Sequence, residues 1–165
     1  MIQTMLDNIP FQDTESKRRL IEDLKTPLWT KHFWEPRASK TNEISLQKGV
    51  HIKKYFPDSQ NLLATAYQDL EKYFCAGNIA LDGECEIITE HVETERPESF
   101  RVIVSETDCR IQAADVEGIR RGIFYLEDEM CRARGPFLPL GTIERSPLLK
   151  CRISRCHYGP IKRPG

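Results

Sequence analysis

The stretch from Asp108 to Pro136 constrains the fold most, because its hydrophobic period changes part-way along. Cys109, Ile111 and Ala113 alternate with Arg110 and Gln112, the period-two pattern of a strand with one buried face. From Val116 onward the apolar positions fall at Ile119, Ile123, Leu126 and Met130, spacings that make one stripe on a helix. Asp115 stands where an N-cap is needed and Glu117 adds a negative charge to the first turn. Arg132 and Arg134 place cations at the far end, so both ends favour the helix dipole. Gly135-Pro136 predicts the stop. A one-faced strand running directly into a one-striped helix demands a helix layer packed on a sheet.

Gly118 and Gly122 lie inside that helix, where each costs about 1 kcal/mol relative to Ala. Four residues apart, they share a face and leave a shallow groove that a strand or second helix can approach closely. Together these residues spell I-x-A-x-D-x-x-G-I-x-x-G at Ile111, Ala113, Asp115, Gly118, Ile119 and Gly122. The pattern, followed by its apolar-periodic helix, resembles the second domain of the family 20 glycoside hydrolases, the β-hexosaminidases. It is also similar to the N-terminal domain of the family 67 α-glucuronidases. The resemblance covers residues 43 to 155. It implies a non-catalytic domain, structural rather than chemical in its use of Asp115, Gly118 and Gly122. Its implied partner is a C-terminal catalytic (β/α)8 barrel of the same polypeptide.

The rest of the chain supplies elements for the same architecture. Residues 14 to 26 carry Leu20, Ile21 and Leu24 on one side and end before Pro27, a short amphipathic helix. Trp29, Phe33 and Trp34 form an aromatic cluster with Leu28 and His32, and Pro36 to Asn42 reads as a polar linker. Ile44–Leu46 and Val50–Ile52 read as short strands around the Lys48-Gly49 turn. Ser59 can cap a helix running to about Cys75, with Leu62, Leu63, Ala66, Tyr67, Leu70, Tyr73 and Phe74 on its apolar face and Gly77 at its end. Glu84 to His91 and Phe100 to Ser105 follow as strands, the second forming an antiparallel hairpin with the strand from Asp108. The expected class is α+β, a mixed and mostly antiparallel sheet with two main helices on one face. Three segments are expected: 1–42, a helical extension and linker; 43–144, the α+β domain; and 145–165, a basic extension leading toward the barrel.

Composition closes off several functions. The 165 residues are 39% hydrophobic and 30% charged, with a formal net charge of −1, which argues against both disorder and a general attraction to nucleic acid. No apolar run approaches the roughly 18 residues of a membrane span. The first residues, MIQTMLDNIPFQD, show neither basic nor apolar secretion-signal regions, so a cytoplasmic location is expected. Six cysteines are scattered without close pairs and are expected to be reduced thiols.

Candidate chemistry is sparse. Zinc-protease, P-loop, dinucleotide-binding and nucleophile-elbow motifs are all missing from the sequence. Cys151 with Cys156-His157 has the residue types of a zinc site but lacks a fourth ligand, so neither metal nor cofactor is expected. Glycoside hydrolysis needs two carboxyl groups across a sugar-sized gap, one of raised pKa. Glu127, Asp128 and Glu129 are the densest acidic run, but they sit mid-helix, and the resemblance places the catalytic pair on the barrel. The chain alone is therefore expected to be inactive. Ser146, Pro147 and Arg152 resemble the segment that enters the first barrel strand, which implies that Arg152 reaches sugar hydroxyls at the substrate rim. Planar guanidinium donors suit such vicinal oxygens. Trp29 and Trp34 are the further candidates for carbohydrate contact, by stacking on sugar rings. The competing class is a carbohydrate- or protein-binding module without activity; a free-standing small enzyme is the third.

Overall fold

A computed structural model describes residues 34–148 together with Glu15, Arg18 and Glu22. Those three are helical, within the helix expected over 14–26, and Arg18 pairs with Glu15 at 3.2 Å and with Glu22 at 4.0 Å. The rest of that helix, the aromatics Trp29 and Phe33, and the basic stretch from 149 onward lie outside the described residues.

Within the unit Trp29–Leu148 the elements run β1 (Glu43–Ser45), β2 (Val50–Lys54), α1 (Ala64–Ala76), β3 (Cys85–His91), β4 (Phe100–Val104), β5 (Asp108–Ala113), α2 (Val116–Ala133), β6 (Phe137–Pro139) and β7 (Gly141–Arg145). Five strands form one sheet in the order β2-β3-β5-β4-β7. β3 runs parallel to both β2 and β5, whereas β4 is antiparallel to β5 and β7. β1 and β6 make a separate antiparallel pair. The fold is thus α+β, with mixed, mostly antiparallel pairing.

Alternation decides which way each strand faces. Val50, Ile87, Thr89, Ile111, Ala113 and Val102 point to the side where α1 and α2 pack, and all but Thr89 belong to one apolar cluster with Leu70, Phe74, Ile119, Ile123 and Leu126. Thr89 is the polar exception there, fully buried, and its hydroxyl meets the Tyr67 hydroxyl of α1 at 2.6 Å. The other face is charged. Ile88 alone is buried on it, with Lys53 and Arg110 as its direct cross-strand neighbours. Lys53 pairs with Glu86, and Arg110 with Asp108 at 2.9 Å and Glu90 at 3.7 Å.

The two short strands expected around the Lys48-Gly49 turn are present, with Gly49 N on Leu46 O at 2.9 Å, and they belong to different sheets. Leu46 N donates to Pro136 O, whereas Val50 N donates to Ala80 O. The first main helix begins at Ala64, because the carboxylate of Asp58, not Ser59, accepts the amides of Leu62 and Leu63 at 2.8 Å. Leu62 therefore precedes the helix and is half exposed instead of lining its apolar face. Finally, α2 ends on Arg134, in the left-handed region at φ 51°, one residue before the glycine; Gly135 N then reaches back to Met130 O at 3.1 Å.

Candidate functional site

The sequence motif assembles a corner where four elements meet. One carboxylate oxygen of Asp115 accepts Gly118 N at 2.8 Å and so caps α2. Its other oxygen accepts Glu98 N at 2.7 Å. Glu98 has a left-handed backbone, φ 62°, and its carboxylate takes the Arg121 guanidinium of α2 at 2.6 Å. The turn leading into β4 is therefore fixed to the helix by one residue's backbone and side chain together. Ser99, buried next in the chain, meets the Ser146 hydroxyl at 2.9 Å, which ties the end of β7 to the same corner.

The glycines explain how close the layers come. A Cβ on Gly118 would stand 2.5 Å from Ser99 O and 2.6 Å from Ala113 Cβ; on Gly122 it would stand 2.3 Å from Ile111 Cγ2. Those distances are below contact, so α2 lies against β5 and the entry to β4 only because both positions lack side chains.

A second cluster gathers at the opposite end of α2. Arg37 donates to both oxygens of Glu43, at 2.7 and 3.1 Å, and to Ala133 O at 3.2 Å, with its guanidinium 4.0 Å over the Phe137 ring. This cation sits on the carbonyl end of α2, where the dipole is negative. The Arg37 hydrogen bonds, helped by the Lys40 amide, hold the Glu43 carboxyl down at about 2. Trp34 stands beside it, partly buried, its ring edge-on to Tyr73 at 6.3 Å and against Gly77. Of the candidate carbohydrate contacts, Trp34 is thus packed on the core, while Trp29 and Arg152 lie outside the described residues.

The titratable groups offer little for catalysis. Burial, then the charges of Asp69 and Asp128, pushes Glu127 up to about 7. Burial raises the Cys85 thiol to about 11 and the Cys109 thiol further, so neither supplies a thiolate nucleophile. Cys75, Cys85, Cys109 and Cys131 are all free thiols. Among the described residues no group of three or more His, Cys, Asp or Glu side chains is placed to hold a metal, and no helix is long and apolar enough to cross a membrane.

No protein-family profile matches the sequence, and no curated protein matches it significantly. Solved structures do share the architecture. A mutant Streptomyces plicatus β-hexosaminidase in complex with product (GlcNAc) superposes with a TM-score of 0.55 at 17% identity, over 73% of this chain and 29% of that chain. A second mutant of that enzyme gives 0.54 at 18% identity with the same coverage. The fold is one that glycoside hydrolases carry. A GH138 enzyme targeting pectin rhamnogalacturonan II gives 0.51 at 16% identity, over 59% of this chain and 12% of that chain. The chain therefore spans less than a third of the length of each of these three enzymes.

What sequence reasoning missed were the partners of the motif. Glu98, Arg121 and Ser99 sit in or beside a polar loop or on the helix and carry no local signature. Arg37 falls in the linker expected over Pro36 to Asn42 and Glu43 just before the expected strand Ile44–Leu46, and no local signal shows that they face each other.

Proposed function

We propose that this chain is a non-catalytic accessory domain of a larger glycoside hydrolase, one that supports a (β/α)8 barrel in which the glycosidic bond is broken. The observation that carries this reading is the superposition on 29% of a β-hexosaminidase chain. The geometry supports it further. Asp115 and the two glycines serve packing, and the Ser99–Ser146 contact anchors the strand from which the chain runs on toward residue 149. The domain's work in this reading is mechanical: it fixes where the following polypeptide starts.

Two measurements test the reading together. The 19.1 kDa chain should leave aryl N-acetylhexosaminides and other aryl glycosides uncleaved, and the native gene product in its source cell should be larger by at least one barrel, roughly 250 residues. Turnover by the short chain, or a native product of the same mass, would refute it.

A further inference from the structure

The chain carries a groove of about 480 Å³ between the end of β2 and the start of α1. From its chemistry we infer that it binds a neutral saccharide. Nothing in the corner around Asp115 or in the Arg37 cluster contributes to it, so the inference goes beyond the accessory role and does not depend on it.

The charges in the groove are already matched. Lys54 Nζ lies 3.0 Å from Glu71 Oε1 and 4.7 Å above the Tyr67 ring, and both oxygens of Asp58 are taken by the amides of Leu62 and Leu63. An anion would find its cation neutralised; a metal ion would find its carboxylates engaged. What the groove offers instead is a set of uncharged groups. Asn61, in the turn before the helix, lines it together with Thr65 and Gln68, which lie three residues apart on one side of α1. All three residues are exposed, and none of these side chains is engaged in a hydrogen bond among the described residues.

Shape and rigidity agree with that chemistry. Phe56 and Tyr67, 7% and 6% exposed, form the floor of the groove, with the Lys54 stem over the Tyr67 ring and the uncharged side chains at the rim. A sugar ring has the same two-sided character: C–H groups on its faces, and hydroxyls at its edge that both donate and accept, as carboxamides do. Asn61 is held before any ligand arrives. Its backbone is left-handed at φ 56°, its N–H is bonded to Asp58 O at 3.1 Å, and the Asp58 carboxylate anchors the two residues that follow. A rim fixed in advance spends less binding energy on ordering. The volume falls within the roughly 300–1,000 Å³ of small-molecule sites.

The test is an amide chemical-shift titration of the full 165-residue chain with N,N′-diacetylchitobiose, cellobiose and rhamnose in parallel, and inorganic phosphate as the charged control. Saturable shifts confined to residues 54–71 are expected with at least one sugar, at a dissociation constant of about 1 mM. Thr65→Ala with Gln68→Ala, both exposed helix positions that tolerate alanine, should weaken that binding about tenfold while the rest of the spectrum stays in place. Asn61→Gly, which keeps the left-handed backbone, should weaken it without the helix changes. The inference is overturned if no sugar moves these amides at about 10 mM, if the shifts survive in the double variant, or if phosphate moves them and sugars do not.

Discussion

Arg37 and Glu43, six residues apart, face each other through two parallel hydrogen bonds at 2.7 and 3.1 Å, directly over the last carbonyl of α2. One guanidinium thereby satisfies a carboxylate, neutralises a helix end and lies flat on Phe137. Replacing it with alanine leaves Glu43, 10% exposed, with only Lys40 beside it, and is expected to cost about 2–3 kcal/mol. Arg37→Lys should recover part of this loss, because lysine keeps the charge but not the fork. Urea midpoints of the two variants check it, and equal midpoints for lysine and arginine would count against the bidentate geometry. Glu43 titrates at about 2, below its ordinary value of 4.5, so its contribution is present above pH 4.5 and is lost as pH falls toward 2. The acid limb of the stability curve should therefore flatten in Arg37→Ala.

The glycine positions predict a reversal of the usual helix rule. Alanine within a helix normally stabilises by about 1 kcal/mol over glycine. At Gly118 and Gly122 the added methyl would stand 2.3–2.6 Å from Ser99 O, Ala113 Cβ or Ile111 Cγ2. Gly118→Ala faces a backbone oxygen that cannot step aside and should lower stability by about 1–3 kcal/mol despite the propensity gain. A raised melting temperature in that variant would show that the layers are not in the contact described.

Glu127 makes the opposite pH prediction to Glu43. Its carboxyl is raised from 4.5 to about 7, so its protonated form is the one the fold favours; that stabilisation is complete below pH 4.5 and is lost as pH rises through 7. Glu127→Gln removes the charge and should be more stable than the parent at pH 8, with the difference shrinking toward pH 5. Denaturant midpoints at the two pH values measure this, and a variant that is less stable at pH 8 would contradict the assignment.

Tyr67 and Thr89 form a hydroxyl pair inside the core, and the pair predicts non-additivity. Tyr67→Phe leaves the fully buried Thr89 hydroxyl without its partner and should cost about 1–3 kcal/mol. Adding Thr89→Val removes the stranded group, so the double variant should recover much of that loss. Two single losses that simply add would mean that the hydroxyls are not coupled.

How much of this could be read in advance depends on distance along the chain. The β5–α2 unit was legible to the cap, because Asp115, the stripe from Val116 to Met130 and the β5 alternation are local and agree with one another. β6 and β7 were not legible. They are three and five residues long, separated by Leu140 between Pro139 and Gly141, and they exist because β1 and β4 offer them an edge. The parallel pairing of β3 likewise has no local sign, since both of its partners arrive through crossovers. At α1 the sequence pointed to Ser59 as the cap, and only the fold shows that its neighbour Asp58 turns toward the free amides. The motif announced that something comes close to Gly118 and Gly122; that the neighbours are Ser99 and Ile111 is tertiary information.

The Arg37 contact with Ala133 spans 96 residues of sequence, whereas β4, β5 and α2 follow one another without interruption. Closing a long loop costs chain entropy that only later contacts return, so the contiguous stretch should organise early in folding and the bracket at the helix end last. In native-state hydrogen exchange, the amide of Glu35, bonded to Arg134 O, should accordingly open at a lower free energy than those of Ile111 and Ile123. The segment that caps the helix would then be the first part of the domain to let go.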